Sequence, residues 1–114
     1  MRSEENRRKA ERVDAGFVIQ IKCDTFDQFL QEHAVNISQG GIFIQTSQPY
    51  TVGTLLHFQF TSIDQGELID GLGRVVHVKE DEFGNHGVGL EFLNLSGDSE
   101  EVIEKIVTSR YDSE

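Results

Sequence analysis

Most of the chain alternates apolar and polar residues. This pattern predicts short β-strands, because successive side chains on a strand point to opposite faces. Six strands are predicted, over residues 16–23, 34–38, 42–46, 54–61, 68–79 and 87–92. Glycine-rich turns separate several of them, and Gly84-Asn85 marks a hairpin. The sequence therefore predicts a closed or nearly closed antiparallel barrel, since closure leaves no exposed strand edge.

Two of the predicted strands have well-defined faces. On the second strand, Val35 and Ile37 are expected to oppose Asn36 and Ser38, which would share one face. The inward-facing residues predicted for the first strand are Phe17, Ile19, Ile21 and Cys23.

Near the C-terminus the spacing of apolar residues changes from that of a strand to that of a helix. Asp98 or Ser99 can cap a helix, and an apolar stripe with helical spacing follows. The residues of this stripe are Val102, Ile103, Ile106 and Val107. The chain is thus predicted to be an all-β barrel, with a C-terminal helix covering an open end or face. We expect residues 1–15 to form a flexible basic arm and residues 16–114 to form the single folded domain.

Charge narrows the classes of ligand. The 114 residues include 10 lysines and arginines against 20 aspartates and glutamates, a formal net charge of −10. Such an acidic body is not expected to hold DNA or RNA by a broad basic surface. Half of the basic residues nevertheless lie in the first 12 positions: Arg2, Arg7, Arg8, Lys9 and Arg12. A local cationic arm suits a small anionic ligand better.

The sequence says less about the cellular compartment and about catalytic or metal chemistry. Cys23 is the single cysteine, so no intrachain disulfide can form. No signal peptide or membrane span is readable, and we expect a cytoplasmic protein. The four histidines have no recognisable metal-ligand spacing, and no nucleophile is paired with a base in the sequence. We therefore expect no enzyme activity, no metal and no cofactor.

Two short motifs carry the functional signal. The first is Arg8-Lys9-Ala10-Glu11-Arg12, preceded by Arg7, and the second is Asn36-Ile37-Ser38-Gln39-Gly40-Gly41. A guanidinium fork binds phosphates and base edges. Taken alone, the first motif is also typical of a solubilising terminus and the second of an ordinary turn. Their conjunction, before the first strand and between the second and third, is more specific.

Together these motifs resemble the paired Arg-x-x-x-Arg and Asp/Asn-x-Ser-x-x-Gly signatures of the PilZ domain family. Gly73-Arg74-Val75-Val76 and Gly87 to Phe92 are also similar to that family, so the resemblance spans nearly the whole chain. It implies a six-stranded PilZ-type β-barrel that binds the bacterial second messenger cyclic di-GMP. By the same resemblance, Arg8 and Arg12 would hold phosphates and guanine bases, and Asn36 and Ser38 would hydrogen-bond a guanine.

The resemblance also implies how ligand binding is signalled to another protein. Gly41 would shape the turn and give the ligand clearance, and the arm would fold over the ligand and change how the barrel meets a downstream effector protein. Asn36 stands where the family also uses aspartate, and its amide can accept only through its oxygen. Arg7 adds a third arginine, and we hypothesise that it allows a second, stacked nucleotide to bind.

Other functions stay open at this stage. The main competitor is a PilZ-fold protein-interaction adaptor that acts without nucleotide. An oligonucleotide-binding barrel would need basic residues and aromatics across one face, and a hydrolase would need a base–nucleophile pair. Homodimerisation is a further route for the signal, with Val18, Tyr50 and Leu55 as candidate exposed apolar side chains.

Overall fold

The structure is a computed structural model, and it describes residues 12–22, 29–61 and 66–112. Within this part of the chain there are six strands and one helix. The elements are β1 (Val13–Lys22), β2 (Leu30–Ile37), β3 (Gly41–Thr46), β4 (Leu55–Thr61), β5 (Leu68–Glu80), β6 (His86–Leu95) and α1 (Ser99–Asp112). The strands close into a barrel in the order β1-β2-β3-β6-β5-β4, and all neighbours are antiparallel. The predicted six-stranded barrel with a C-terminal helix is confirmed.

The alternating pattern places the core inside the barrel. Ile19, Ile21 and Phe58 are almost completely buried, whereas their polar neighbours along the strands face outward. Aromatic rings fill part of the interior, with the Phe17 and Phe60 rings stacked at a centroid distance of 4.6 Å. Stacked rings at this separation add to the stabilisation that burial of their apolar surface provides.

Strand β1 begins at Val13, three residues earlier than the alternation from residue 16 predicts. Val13 and Ala15 are buried and continue the inward face of the strand. The register with β2 shifts between Asp14 and Phe17, where Gly16 has a φ of +66°. A glycine with positive φ commonly forms a β-bulge, so Gly16 interrupts a strand that continues through it. Cys23, predicted to face inward, lies outside the described residues.

Strand β2 differs from its prediction at Val35. This side chain is 41% exposed, so the expectation that it opposes Asn36 and faces the core with Ile37 is wrong. The register with β3 shifts between Ala34 and Asn36, which identifies Val35 as the extra residue of a β-bulge. A bulge places two residues against one on the partner strand and changes which face the following residues occupy. Ala34 and Ile37 point inward in its place.

Helix α1 closes the fold in the predicted way. Its stripe of Val102, Ile103, Ile106 and Val107 is buried in the same core as the barrel strands. The Asp98 carbonyl accepts a 3.0 Å hydrogen bond from the Val102 amide, so Asp98 takes the N-cap position. The Ser99 hydroxyl accepts a 3.2 Å hydrogen bond from the Asp70 amide of β5 and ties the helix start to the barrel.

Glu32 and Tyr50 are among the residues that bring polar groups into the interior. Glu32 is only 8% exposed. Burial raises the pKa of its carboxyl, and a hydrogen bond with Thr46 and the nearby His33 act in the opposite direction. Tyr50 is also buried, so the expectation that it is exposed is wrong, whereas Val18 and Leu55 are exposed as predicted.

Candidate ligand site at the β2–β3 turn

The two sequence motifs meet on the outer surface of the barrel. Arg12 lies immediately before β1, and β1 pairs with β2 so that Val13 is opposite Ile37 and Asp14 is opposite Asn36. This register brings the Arg12 Nη1 atom to 2.8 Å from Asn36 Oδ1, to which it donates a hydrogen bond. The guanidinium and the amide therefore share one exposed position, although 24 residues separate them in the chain.

Ser38 lies at the end of β2 and is only 6% exposed. Its hydroxyl accepts a 3.3 Å hydrogen bond from the Gly40 amide and donates a 3.4 Å bond to the Gly41 carbonyl. The Ser38 amide also donates to the Gly41 carbonyl at 2.8 Å. Ser38 therefore braces the β2–β3 turn, and its hydroxyl does not project freely from the surface beside Asn36.

The two glycines of the turn have different surroundings. A Cβ on Gly41 would overlap the Leu90 carbonyl oxygen of β6, so this position requires the close backbone approach that glycine permits. A Cβ on Gly40 would meet no atom within 4 Å. The Gly40 carbonyl accepts a 2.9 Å hydrogen bond from the Phe92 amide. The turn is thus fixed to β6 by both packing and hydrogen bonding.

Charged side chains surround this turn. Glu91 is opposite Gly41 in the register between β3 and β6, and its carboxylate pairs with the Arg74 guanidinium at 3.1 Å. Both side chains are 47% exposed, and an exposed pair of this kind contributes about 0–1 kcal/mol to stability. The Arg74 partner nevertheless neutralises a carboxylate that would otherwise repel an anion near the turn.

Phe43 lies next to Asn36 but outside both motifs. The two residues are directly opposite each other between β2 and β3. The half-buried Phe43 ring crosses the outer side of β6, where a Cβ on Gly87 would lie 2.5 Å from its Cζ atom. Gly87 and Gly89 are the sequence signal for this arrangement, because glycines two apart on a strand leave a strip of one face without side chains.

The remaining predicted site residues are distributed as follows. Arg7 and Arg8 lie outside the described residues, so the structure brings together Arg12 and Asn36, with Ser38 and Gly41 in the adjoining turn. Among the described residues, no group of three or more His, Cys, Asp or Glu side chains is placed to hold a metal ion. The described part of the chain also contains no helix with the length and apolar character needed to cross a membrane.

Comparison with solved structures finds the same fold in three bacterial proteins. The inhibitor of motility MotI/DgrA from Bacillus subtilis superposes with a TM-score of 0.78 at 18% identity over 90% of this chain. This chain spans 50% of the length of that one. The PilZ domain of YcgR from Escherichia coli, solved with c-di-GMP, gives a TM-score of 0.69 at 16% identity over 90% of both chains.

A third structure is the PilZ domain of CeSA from a cellulose-synthesizing bacterium. It has a TM-score of 0.63 and 14% identity, over 87% of this chain and 96% of that one. A search of curated proteins finds no match to the sequence. The family model of the PilZ domain, in contrast, matches residues 6–109. This match covers both motifs and all six strands, and the chain belongs to the PilZ domain family.

Proposed function

We propose that this chain is a receptor for cyclic di-GMP that binds the ligand at the β2–β3 turn and relays the signal to a partner protein. PilZ domains are a family of cyclic di-GMP receptors, and they are regulatory binding domains rather than enzymes. The observation that carries the proposal for this chain is the 2.8 Å contact between Arg12 and Asn36, one residue from each motif. We further propose that the protein acts in the cytoplasm.

The chemistry of these two side chains suits a guanine nucleotide. A guanidinium can donate two parallel hydrogen bonds to a phosphate or to the O6 and N7 atoms of guanine. The Asn36 amide oxygen can accept from a guanine N–H group. In the structure the two groups bond each other in an exposed position, where competition with water keeps such a contact weak. A phosphate or a guanine edge can accept two parallel hydrogen bonds from the same guanidinium, so exchange is favourable.

The turn residues have a supporting role in this proposal. The Ser38 hydroxyl already bonds the backbone of Gly40 and Gly41, and Gly41 packs against β6. Ser38 and Gly41 therefore hold the turn against which the ligand packs. We expect Ser38 to contribute less to affinity than the arginines do.

The relay is proposed to depend on the segment that precedes β1. Arg7 and Arg8 precede Arg12 by five and four positions, and we propose that all three guanidinium groups contact the bound ligand. Ordering a segment costs conformational entropy, which ligand contacts must offset. A segment that is held against the barrel by ligand changes the surface that an effector protein meets. Whether Arg7 brings in a second nucleotide is decided by the stoichiometry of binding.

Substitution of the arginines tests the binding site. Arg12→Ala and Arg8→Ala should each weaken cyclic di-GMP binding more than about tenfold, because each removes a charged donor to the ligand. Ser38→Ala should have a smaller effect. Isothermal titration calorimetry measures the affinities, and thermal unfolding should show that the Arg12→Ala barrel is intact, since Arg12 is exposed.

Lys105→Ala is the matched control for these variants. It removes one positive charge from an exposed position on α1 that belongs to neither motif, and should change the affinity less than about twofold. If Arg12→Ala binds as tightly as the parent chain, the proposed site is wrong even if the protein binds the nucleotide.

A further inference from the structure

The Phe43 ring lies against the outer side of β6. A Cβ on Gly87 would lie 2.5 Å from Cζ and 2.9 Å from Cε1 of the ring, and a Cβ on Gly89 would lie 3.9 Å from Cδ2. The ring therefore occupies the space above two residues that have no side chains. Gly89 is also flanked by His77 of β5, whose Cβ lies 3.3 Å from the position of a Gly89 Cβ.

This ring adjoins the candidate ligand site. Asn36 and Phe43 are directly opposite each other on neighbouring antiparallel strands, and such pairs have Cβ atoms about 4.5–5.5 Å apart. Arg12 contacts Asn36 from the other side. A guanidinium, an amide and an aromatic ring therefore follow one another across β1, β2 and β3. The ring itself extends from β3 over Gly87 and Gly89 of β6.

A groove of about 280 Å³ opens beside the ring. Val35 and Phe43 form its apolar part, and its polar lining consists of Gln45, Lys79, Glu80, Asp81, Asn85 and His86. Val35 is exposed here because of the bulge in β2. The apolar wall and the polar edge suit a planar heterocycle, which offers an apolar face for stacking and donors and acceptors along its edge.

We infer that Phe43 is a further ligand-contacting residue, whose ring is the platform on which a guanine base of cyclic di-GMP stacks. This inference rests on the proposed function, since it concerns the same ligand. Base–aromatic stacking contributes substantially to nucleic-acid affinity wherever an exposed ring meets a base. The glycine strip of β6 provides the space in which the ring lies.

Leucine at position 43 tests the platform by calorimetry. Phe43→Leu keeps an apolar side chain but removes the flat ring, and it should raise the Kd for cyclic di-GMP about tenfold. Phe83→Leu is the matched control, because Phe83 is 81% exposed and lies in the turn between β5 and β6. That variant should bind like the parent chain. Thermal unfolding should confirm that both variants fold.

Tryptophan at position 43 gives a direct spectroscopic readout. The chain contains no tryptophan, so Phe43→Trp introduces a single fluorophore at the platform and Phe83→Trp introduces one at the control position. Saturating cyclic di-GMP should change the emission of the Phe43→Trp variant by stacking and leave the Phe83→Trp emission unchanged. GTP at the same concentration serves as the control ligand.

The outcomes separate the inference from the function on which it rests. A tenfold loss in Phe43→Leu together with a ligand-dependent emission change in Phe43→Trp supports the platform. If the parent chain binds cyclic di-GMP but Phe43→Leu binds equally tightly and the Phe43→Trp emission does not change, the platform is excluded while the proposed function stands. If the parent chain gives no binding heat with cyclic di-GMP, both are overturned together.

Discussion

Asn36 is the residue on which the two motifs converge. Its Oδ1 atom accepts from Arg12, its backbone pairs with Asp14 on one side and Phe43 on the other, and its side chain is half-buried. An amide at this point has one oxygen to accept hydrogen bonds, and Arg12 donates to it. A ligand that bonds to Asn36 would have to share this oxygen with Arg12 or displace Arg12 from it.

Replacement of this amide by a carboxylate should strengthen ligand binding. In Asn36→Asp, two oxygens can accept from the guanine N–H groups, and each hydrogen bond to a charged group contributes about 1.5–3 kcal/mol. The variant also strengthens the contact with Arg12, but an exposed ion pair contributes only about 0–1 kcal/mol. The gain exceeds the competing contact, so calorimetry should show a severalfold lower Kd for cyclic di-GMP.

The matched control is Asn94→Asp, an exposed position on β6. It adds the same negative charge to the barrel and should bind no more tightly than the parent chain. Weaker binding by Asn36→Asp than by Asn94→Asp would show that the Arg12 contact, and not the guanine contact, dominates at this position.

Among the elements, the β2–β3 turn depends most strongly on one residue. Gly41→Ala should destabilise the fold, because its Cβ would overlap the Leu90 carbonyl oxygen and force β3 away from β6. Overpacking of this kind typically costs about 1–3 kcal/mol. Thermal or urea unfolding, followed by circular dichroism, measures the difference in the free energy of unfolding.

Gly40→Ala is the neighbouring control. A Cβ there meets nothing within 4 Å, and Gly40 is not among the glycines with positive φ. This variant should unfold within about 0.5 kcal/mol of the parent chain, as most surface substitutions do. Equal stability of the two alanine variants would show that the close approach of β3 and β6 at Gly41 can relax without cost.

Helix α1 is expected to act as a structural cover of the barrel. Ile103 is 1% exposed and belongs to the common core. Ile103→Ala removes buried apolar volume and should lower the free energy of unfolding by about 2–5 kcal/mol. The exposed neighbour Glu104 provides the comparison, since Glu104→Ala should change that free energy by less than about 0.5 kcal/mol. Similar losses in both variants would contradict this role of the helix.

The sequence predicted each element but not the irregular points between them. Alternation and helical spacing identified six strands and the buried stripe of α1. The period-two pattern cannot show a bulge, because one extra residue changes the inward face without changing the composition of the strand. This is why Val35 was expected to face the core. The bulge at Gly16 likewise interrupts the alternation in β1. The pattern therefore placed the start of this strand at residue 16, although the strand begins at Val13.

The candidate site was predictable only as far as short motifs extend. Arg12 and Asn36 were identified by their spacing, and the structure adds their contact, which depends on the register between β1 and β2. The bracing role of Ser38 follows from the burial of its hydroxyl, which the sequence does not show. The sequence marks the place of the Phe43 ring only through Gly87 and Gly89, and linking them to Phe43 requires the pairing of β3 with β6, since they are more than 40 positions away.

For the whole molecule, the net charge of −10 sets the conditions for binding an anion. Repulsion by distant carboxylates is largely screened at physiological salt, where the Debye length is about 8 Å. Close groups therefore dominate, and around the turn these include the Arg12 guanidinium, the Arg74–Glu91 pair and the carboxylate of Asp14, which is opposite Asn36. An acidic barrel can bind a small, doubly negative nucleotide at one cationic position and still repel long nucleic acids.

The most direct test of the proposed receptor function is isothermal titration of the purified chain with cyclic di-GMP, with GTP as the control ligand. We expect micromolar or tighter binding that is selective over GTP, and the stoichiometry shows whether Arg7 brings in a second nucleotide. An absence of both binding heat and a thermal shift at high ligand concentration would overturn the proposed function. The adaptor that acts without nucleotide would then be the better description of this PilZ domain.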